Sequence, residues 1–144
     1  MATVSGLFTS PEKGSGVSTG HERLAAVAGH GFEGCAHAGR PKRQVLFASK
    51  QHLDDLDLAP GAIRENLTVD GTDVHDWRVG QHVRVGEALF EITMVCDPCH
   101  KMDVLRDGLR AQLEGRRGML AVVVEGGEVA VGDPVELVQT ALPV

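Results

Sequence analysis

The sequence predicts a mainly β protein, a small β-barrel with one or two short helices, and three observations carry that expectation. Eighteen glycines are spread along the 144 residues with short apolar runs between them, a spacing that suits brief strands joined by turns. Residues 88–95 alternate: Ala88, Phe90, Ile92 and Met94 face one way, and Leu89, Glu91, Thr93 and Val95 the other. One face is then apolar throughout, as in a strand with one buried side. The stretches VGQHVRV (79–85) and VGDPVEL (131–137) share the pattern V-G-x-x-V-x-[VL]. Each is a glycine turn leading into an alternating strand, and hairpins recurring in this way suit a small barrel.

Residues 12–20 (EKGSGVSTG) have no apolar period and read as a flexible loop. Residues 45–48 and 120–124 are continuous apolar runs of strand length, expected as central strands. Residues 50–58 form a short helix after the first of these. Met102, Leu105, Leu109 and Leu113 are spaced by three, four and four, which predicts one helix of about three turns with a single apolar stripe. Arg106, Asp107, Arg110 and Gln112 fall on its wet face, and Gly115 is the expected stop. Glu125-Gly126-Gly127-Glu128 reads as a hairpin turn between the strand at 120–124 and a strand at 129–131.

The length fits one domain, residues 1–144, large enough to bury a core without disulfides. A net charge of -6 excludes a general basic surface for nucleic acid or anionic membrane. No apolar run is long enough to span a bilayer, and the start lacks the basic and apolar regions of a secretory signal. The expectation is a cytoplasmic protein whose three cysteines, Cys35, Cys96 and Cys99, stay reduced.

The segment MVCDPCHKMD (94–103) places two of those cysteines around Asp97-Pro98. A zinc half-site needs two further ligands at matching spacing, and a thioredoxin-like dithiol needs a βαβ setting. One functional cysteine fits better, at the end of a strand and near a helix N-terminus, where the dipole and Lys101 favour a thiolate. The plainer alternative is two small buried hydrophobes.

Three more clusters bear polar groups between glycine turns. In PGAIRENLTVDG (60–71), Asn66 and Thr68 can read the hydrogen-bond pattern of a heterocycle and Arg64 can meet a phosphate, unless Asn66 is spent on local backbone. In GHGFEGCAHAGRPKRQVLF (29–47), Arg40, Lys42 and Arg43 make a local basic patch, with His37 able to donate to a phosphate or bind metal. In EGRRGMLAVVVEGG (114–127), Arg116 or Arg117 stands at the mouth of a strand, and only one of two successive residues can face inward.

In this order these clusters resemble the MOSC domain, named for the C-terminal part of molybdenum cofactor sulfurase. The resemblance rests on GHGFEGCAHAG, RQVLF, PGAIRENLTVDG, the W-x-V-G-x-x-V-x-V-G run at 77–86, the PC at 98–99, RRGMLA and GGEVAVGDPVEL, spanning about residues 22–138. It implies a pyruvate-kinase-barrel-like β-barrel and a small-molecule substrate. It also implies the pterin-based molybdenum cofactor (molybdopterin), with Cys99 as metal or sulfur ligand. His37, Arg43, Asn66, Thr68 and Arg117 would then hold the pterin and its phosphate. The activity implied is reduction of N-hydroxylated compounds or base analogues, with electrons from a flavin or iron–sulfur partner. Within the same fold, Cys99 serves alternatively as a persulfide-bearing sulfur carrier, or the chain is a non-catalytic binding module.

Two positions depart from the family pattern. Cys35 stands where G-x-x-G-D-x-H commonly has aspartate, and the early loop holds only Lys13. Cys35 is therefore a candidate second thiol beside Cys99.

Overall fold

The computed structural model describes residues 2–10, 18–35 and 37–138. Seven strands close into a barrel: β1 (Ala2–Thr9), β6 (Leu67–Asp70), β5 (Val45–Ser49), β9 (Met119–Glu125), β8 (Ala88–Val95), β7 (His82–Val85) and β11 (Pro134–Val138), which pairs back onto β1. β2 (Thr19–His21) adds to the outside of β1. A three-stranded sheet of β10 (Gly127–Ala130), β3 (Arg23–Val27) and β4 (Gly31–Phe32) stands beside it. The mainly β barrel expected from the sequence is what forms.

β5 shows why a continuous apolar run belongs at the centre. Val45 and Phe47 join the barrel core, whereas Leu46 and Ala48 join two separate clusters outside it. Both faces are covered, so neither needs polar residues. Phe47 meets Trp77 and Phe90 edge-on, with ring centroids 5.4 and 5.2 Å away. Edge-to-face packing is the favoured aromatic geometry, and Phe32 extends the stack against Phe90.

The two V-G repeats become β7 and β11, and they pair with each other, Val83 opposite Leu137 and Val85 opposite Val135. Gly80 and Gly132 lead into them at φ 90° and 93°, values that glycine adopts without a Cβ penalty.

Three expectations need correction. Most of the loop at 12–20 lies outside the described residues, and its last part is not a loop, because Thr19 and Gly20 are in β2. The turn at 125–128 does not make a hairpin: β9 stays in the barrel while β10 pairs antiparallel with β3. There the glycines serve close approach, since a Cβ on Gly126 would lie 2.8 Å from the Ala26 carbonyl and one on Gly127 2.6 Å from Cβ of Glu87.

The third correction concerns the helices. α1 (Lys50–Asp55) forms as expected, but the single helix over 102–113 is two, α2 (Lys101–Leu105) and α3 (Leu109–Gln112). Arg106 is extended and Gly108 sits at φ 80°, so the helical turn cannot pass through them. The Asp103 carboxylate then accepts the Arg110 N–H at 2.9 Å, satisfying a donor at the restart of the chain. Gly115, at φ 74°, follows the end of α3 as expected. Among the described residues no helix is long and apolar enough to cross a membrane.

Candidate functional site

Leu46 on β5 and Leu120 on β9 point away from the barrel and form the floor of a cavity of about 540 Å³. Loops at strand ends build its walls. The segment between β4 and β5 supplies His37 and Arg43, the turn before β6 supplies Arg64 and Asn66, and the residue two before β9 is Arg117. Cys96 and Cys99 enter from the end of β8. Six of the seven residues singled out by the sequence thus border one cavity: Cys99, His37, Arg43, Arg64, Asn66 and Arg117.

Thr68 does not join them. It is fully buried in β6, and its hydroxyl donates to Glu65 Oε2 at 2.8 Å. Glu65 is itself buried, with the Gly61 N–H as a second donor to the same oxygen at 2.8 Å. Burial pushes this carboxyl above the usual carboxylate range, against the pull of those bonds and the Arg117 charge.

Asn66 is also committed to the fold. Its Oδ1 accepts the Leu46 N–H at 3.0 Å, and its Nδ2 donates to the Phe8 carbonyl at 3.0 Å and to the Cys35 sulfur at 3.4 Å. This ties β5 and β1 to the turn before β6 through one side chain. Both amide hydrogens and one lone pair are engaged.

The cavity is strongly basic. Arg40, Arg43, Arg64, Lys101 and Arg117 line it, and among the described residues no Asp or Glu does. Arg117 is the inward member of the Arg116–Arg117 pair: it is buried, and among the described residues its Nε and Nη1 have no hydrogen-bond partner. Orphaned guanidinium donors are costly away from water, so an anion reaching them gains more than one at the surface. Arg64 holds φ 64° and donates to Ser10 Oγ at 3.4 Å.

The two cysteines of the C-D-P-C segment differ sharply. Cys96 is buried with Leu46 and Leu120, and burial pushes its thiol up despite the nearby charges of Arg117 and Arg43. Cys99 is exposed. α2 is five residues long, so the helix dipole invoked for the thiolate is small here. Among the described residues no group of three or more His, Cys, Asp or Glu could hold a metal, and so no complete zinc set gathers around the pair.

The thiol brought down in this structure is Cys35. It is buried behind His37 and Asn66 and is not a lining residue. Burial pushes it up, but the ring and backbone N–H of His37, the backbone of Ser10 and the Asn66 amide outweigh that and lower it from 9.0 to about 6. Its sulfur lies 3.6 Å from His37 Nδ1. The candidate second thiol is therefore a buried hydrogen-bond acceptor behind the wall. The clue in the sequence was the departure itself, a cysteine two residues before His37.

A family model described as MOSC domain matches residues 35–136. The chain belongs to the MOSC domain family. Protein YiiM of Escherichia coli (strain K12) is 30% identical over 115 residues, covering 76% of this chain and 51% of that protein. The chain thus spans about half the length of this curated MOSC relative. Among solved structures, the YUAD protein from Bacillus subtilis superposes with a TM-score of 0.81 at 20% identity, covering 95% of this chain and 96% of that one. YiiM from Escherichia coli superposes at 0.72 with 23% identity, over 99% of this chain and 72% of its own. At these identities the structures establish the shared MOSC fold.

Two features of this MOSC cavity escaped sequence reasoning. Glu65 is one polar residue of the E-N-L-T segment, and its burial under the site appears only once Gly61 and Thr68 close on it. Val104 and Leu105, which also line the cavity, carry no chemical signal, and the helical spacing assigned Leu105 to the core.

Proposed function

We propose that this cavity holds the molybdenum cofactor and that the chain is an oxidoreductase acting on N-hydroxylated small molecules. The observation that carries the reading is Arg117, whose buried, unpartnered guanidinium nitrogens sit in a cavity lined by four further cations and an exposed thiol. That set suits a phosphate-bearing pterin with a thiophilic metal. The cofactor would supply redox chemistry at its metal, with electrons delivered by a flavin or iron–sulfur partner.

The residues around it divide the remaining work. Cys99 offers a soft thiolate ligand from an accessible position. Arg43, Arg64 and Arg117 bind and orient the phosphate, with Arg117 as the bidentate fork. His37, whose Nδ1 is held toward Cys35, keeps Nε2 to carry a proton at the reacting nitrogen or oxygen. Leu46, Leu120 and Met102 exclude water from the floor.

The exposure of Cys99 also favours a second reading, a sulfur carrier with a Cys99 persulfide. The test is elemental and pterin analysis of protein purified from a host that makes the cofactor. Molybdenum and pterin in the parent and in Cys96→Ser, with neither in Cys99→Ser, is the expected result. Equal loss in both variants contradicts a single-thiol ligand. No molybdenum in the parent, with a sulfur adduct on Cys99 by mass spectrometry, replaces the reductase with the carrier.

A further inference from the structure

Leu105 is where the sequence pattern and the structure part. A single helix would bury Met102, Leu105, Leu109 and Leu113 on one stripe. Met102, Leu109 and Leu113 are buried, but Leu105 is 46% exposed and its neighbour Val104 84%. The break at Arg106–Gly108 separates α2 from α3 and turns Leu105 out of the stripe. Both side chains instead line the cavity.

A scattered surface valine or leucine needs no explanation. These two are adjacent, border the cavity, and ride on the turn anchored by the Met102 N–H to the Cys99 carbonyl at 2.9 Å. A helical pattern broken at a cavity edge is what a functional requirement leaves behind.

We propose that Val104 and Leu105 form a specificity lip, seating the flat apolar body of a small-molecule ligand whose polar or anionic end reaches the cations inside. As a substrate lip it rests on the proposed reading of the cavity. Charge complementarity defines the occupant, because Arg40 and Lys101, the two cations not assigned to the phosphate, line the same cavity and among the described residues no carboxylate does. The ligand is an amphipathic aryl compound. A small hydrophilic molecule such as hydroxylamine leaves the lip wet and gains nothing from it.

The probe is 1-anilinonaphthalene-8-sulfonate, an aryl anion whose fluorescence rises in apolar surroundings, titrated into the full chain. Val104→Ser combined with Leu105→Ser is expected to weaken binding about tenfold, and inorganic phosphate is expected to compete in the parent. Val79→Ser, at a 64% exposed valine that does not line the cavity, is expected to bind as the parent does. Equal binding by the double variant, or an equal loss in Val79→Ser, overturns the lip. With cofactor-loaded protein, the double variant is expected to raise KM for an aromatic N-hydroxy compound about tenfold while leaving hydroxylamine reduction unchanged. An unchanged KM for the aromatic compound also overturns it. If the loaded parent reduces neither compound, the reductase reading falls, and the fluorescence titration still decides the lip.

Discussion

Asn66 donates from Nδ2 to the sulfur of Cys35 at 3.4 Å while the same nitrogen donates to the Phe8 carbonyl at 3.0 Å. The sulfur also receives the His37 ring, the His37 N–H and the Ser10 N–H. A thiolate suits such a ring of donors, and a neutral thiol is a weak acceptor.

Cys35 is expected to ionise near pH 6, read as a step in the ultraviolet absorbance of the thiolate that Cys35→Ser removes. Because the folded value lies below the ordinary 9.0, the associated stability is complete above the unfolded value and is lost as pH falls through about 6. Cys35→Asp retains an anionic acceptor for His37 and Asn66. Cys35→Ala strands their donors and costs about 1–3 kcal/mol in urea denaturation. A Cys35→Ala protein as stable as Cys35→Asp above neutral pH contradicts the hub role.

His75 accepts the Gly118 N–H at Nε2, 2.9 Å away, so its ring must be neutral with the proton on Nδ1. Burial lowers this imidazole and nearby His52 adds to the effect, while Asp73 and Asp76 oppose it. The folded value lies below the unfolded 6.5, so the bond's contribution is complete above 6.5 and fades as pH falls through the folded value. His75→Phe is expected to lose about 1 kcal/mol at neutral pH, with the gap to the parent narrowing in acid. A gap independent of pH points to packing alone. Position 118 must be glycine for this approach, since a Cβ there would lie 2.3 Å from the Phe47 carbonyl oxygen.

Arg117→Met is expected to raise thermal stability, because an apolar chain of similar length removes two buried orphan donors at a gain of about 1 kcal/mol or more. The same change should abolish phosphate binding in isothermal titration calorimetry. Stability gained with binding lost is the pattern of a residue kept for a ligand. A destabilised Arg117→Met would show instead that the guanidinium holds the fold through Glu65, the carboxylate on which its charge acts.

Much of the barrel was legible because its signals are local. The alternation of 88–95, the apolar runs at 45–48 and 120–124, and the paired V-G repeats each report which face of a strand is covered, and β8, β5, β9, β7 and β11 followed. The hairpin at 125–128 failed because a glycine pair marks a bend equally well when the next strand pairs elsewhere, and β10 pairs with β3, about a hundred residues earlier in the chain. The helix over 102–113 failed because spacing records apolar positions but not the conformation of Arg106 and Gly108.

The sequence by itself determined the strand-rich barrel and the order of the basic, amide and cysteine clusters along the chain. Tertiary structure alone decided that six of the named residues share one cavity while Thr68 lies beneath it supporting Glu65. It also decided that Arg117 rather than Arg116 turns inward, and that the Cys35 sulfur becomes the acceptor for His37 and Asn66. The physical reason is range. Periodicity and turn chemistry are written over a few consecutive residues, whereas burial and the convergence of donors on one sulfur depend on which distant strands close against each other.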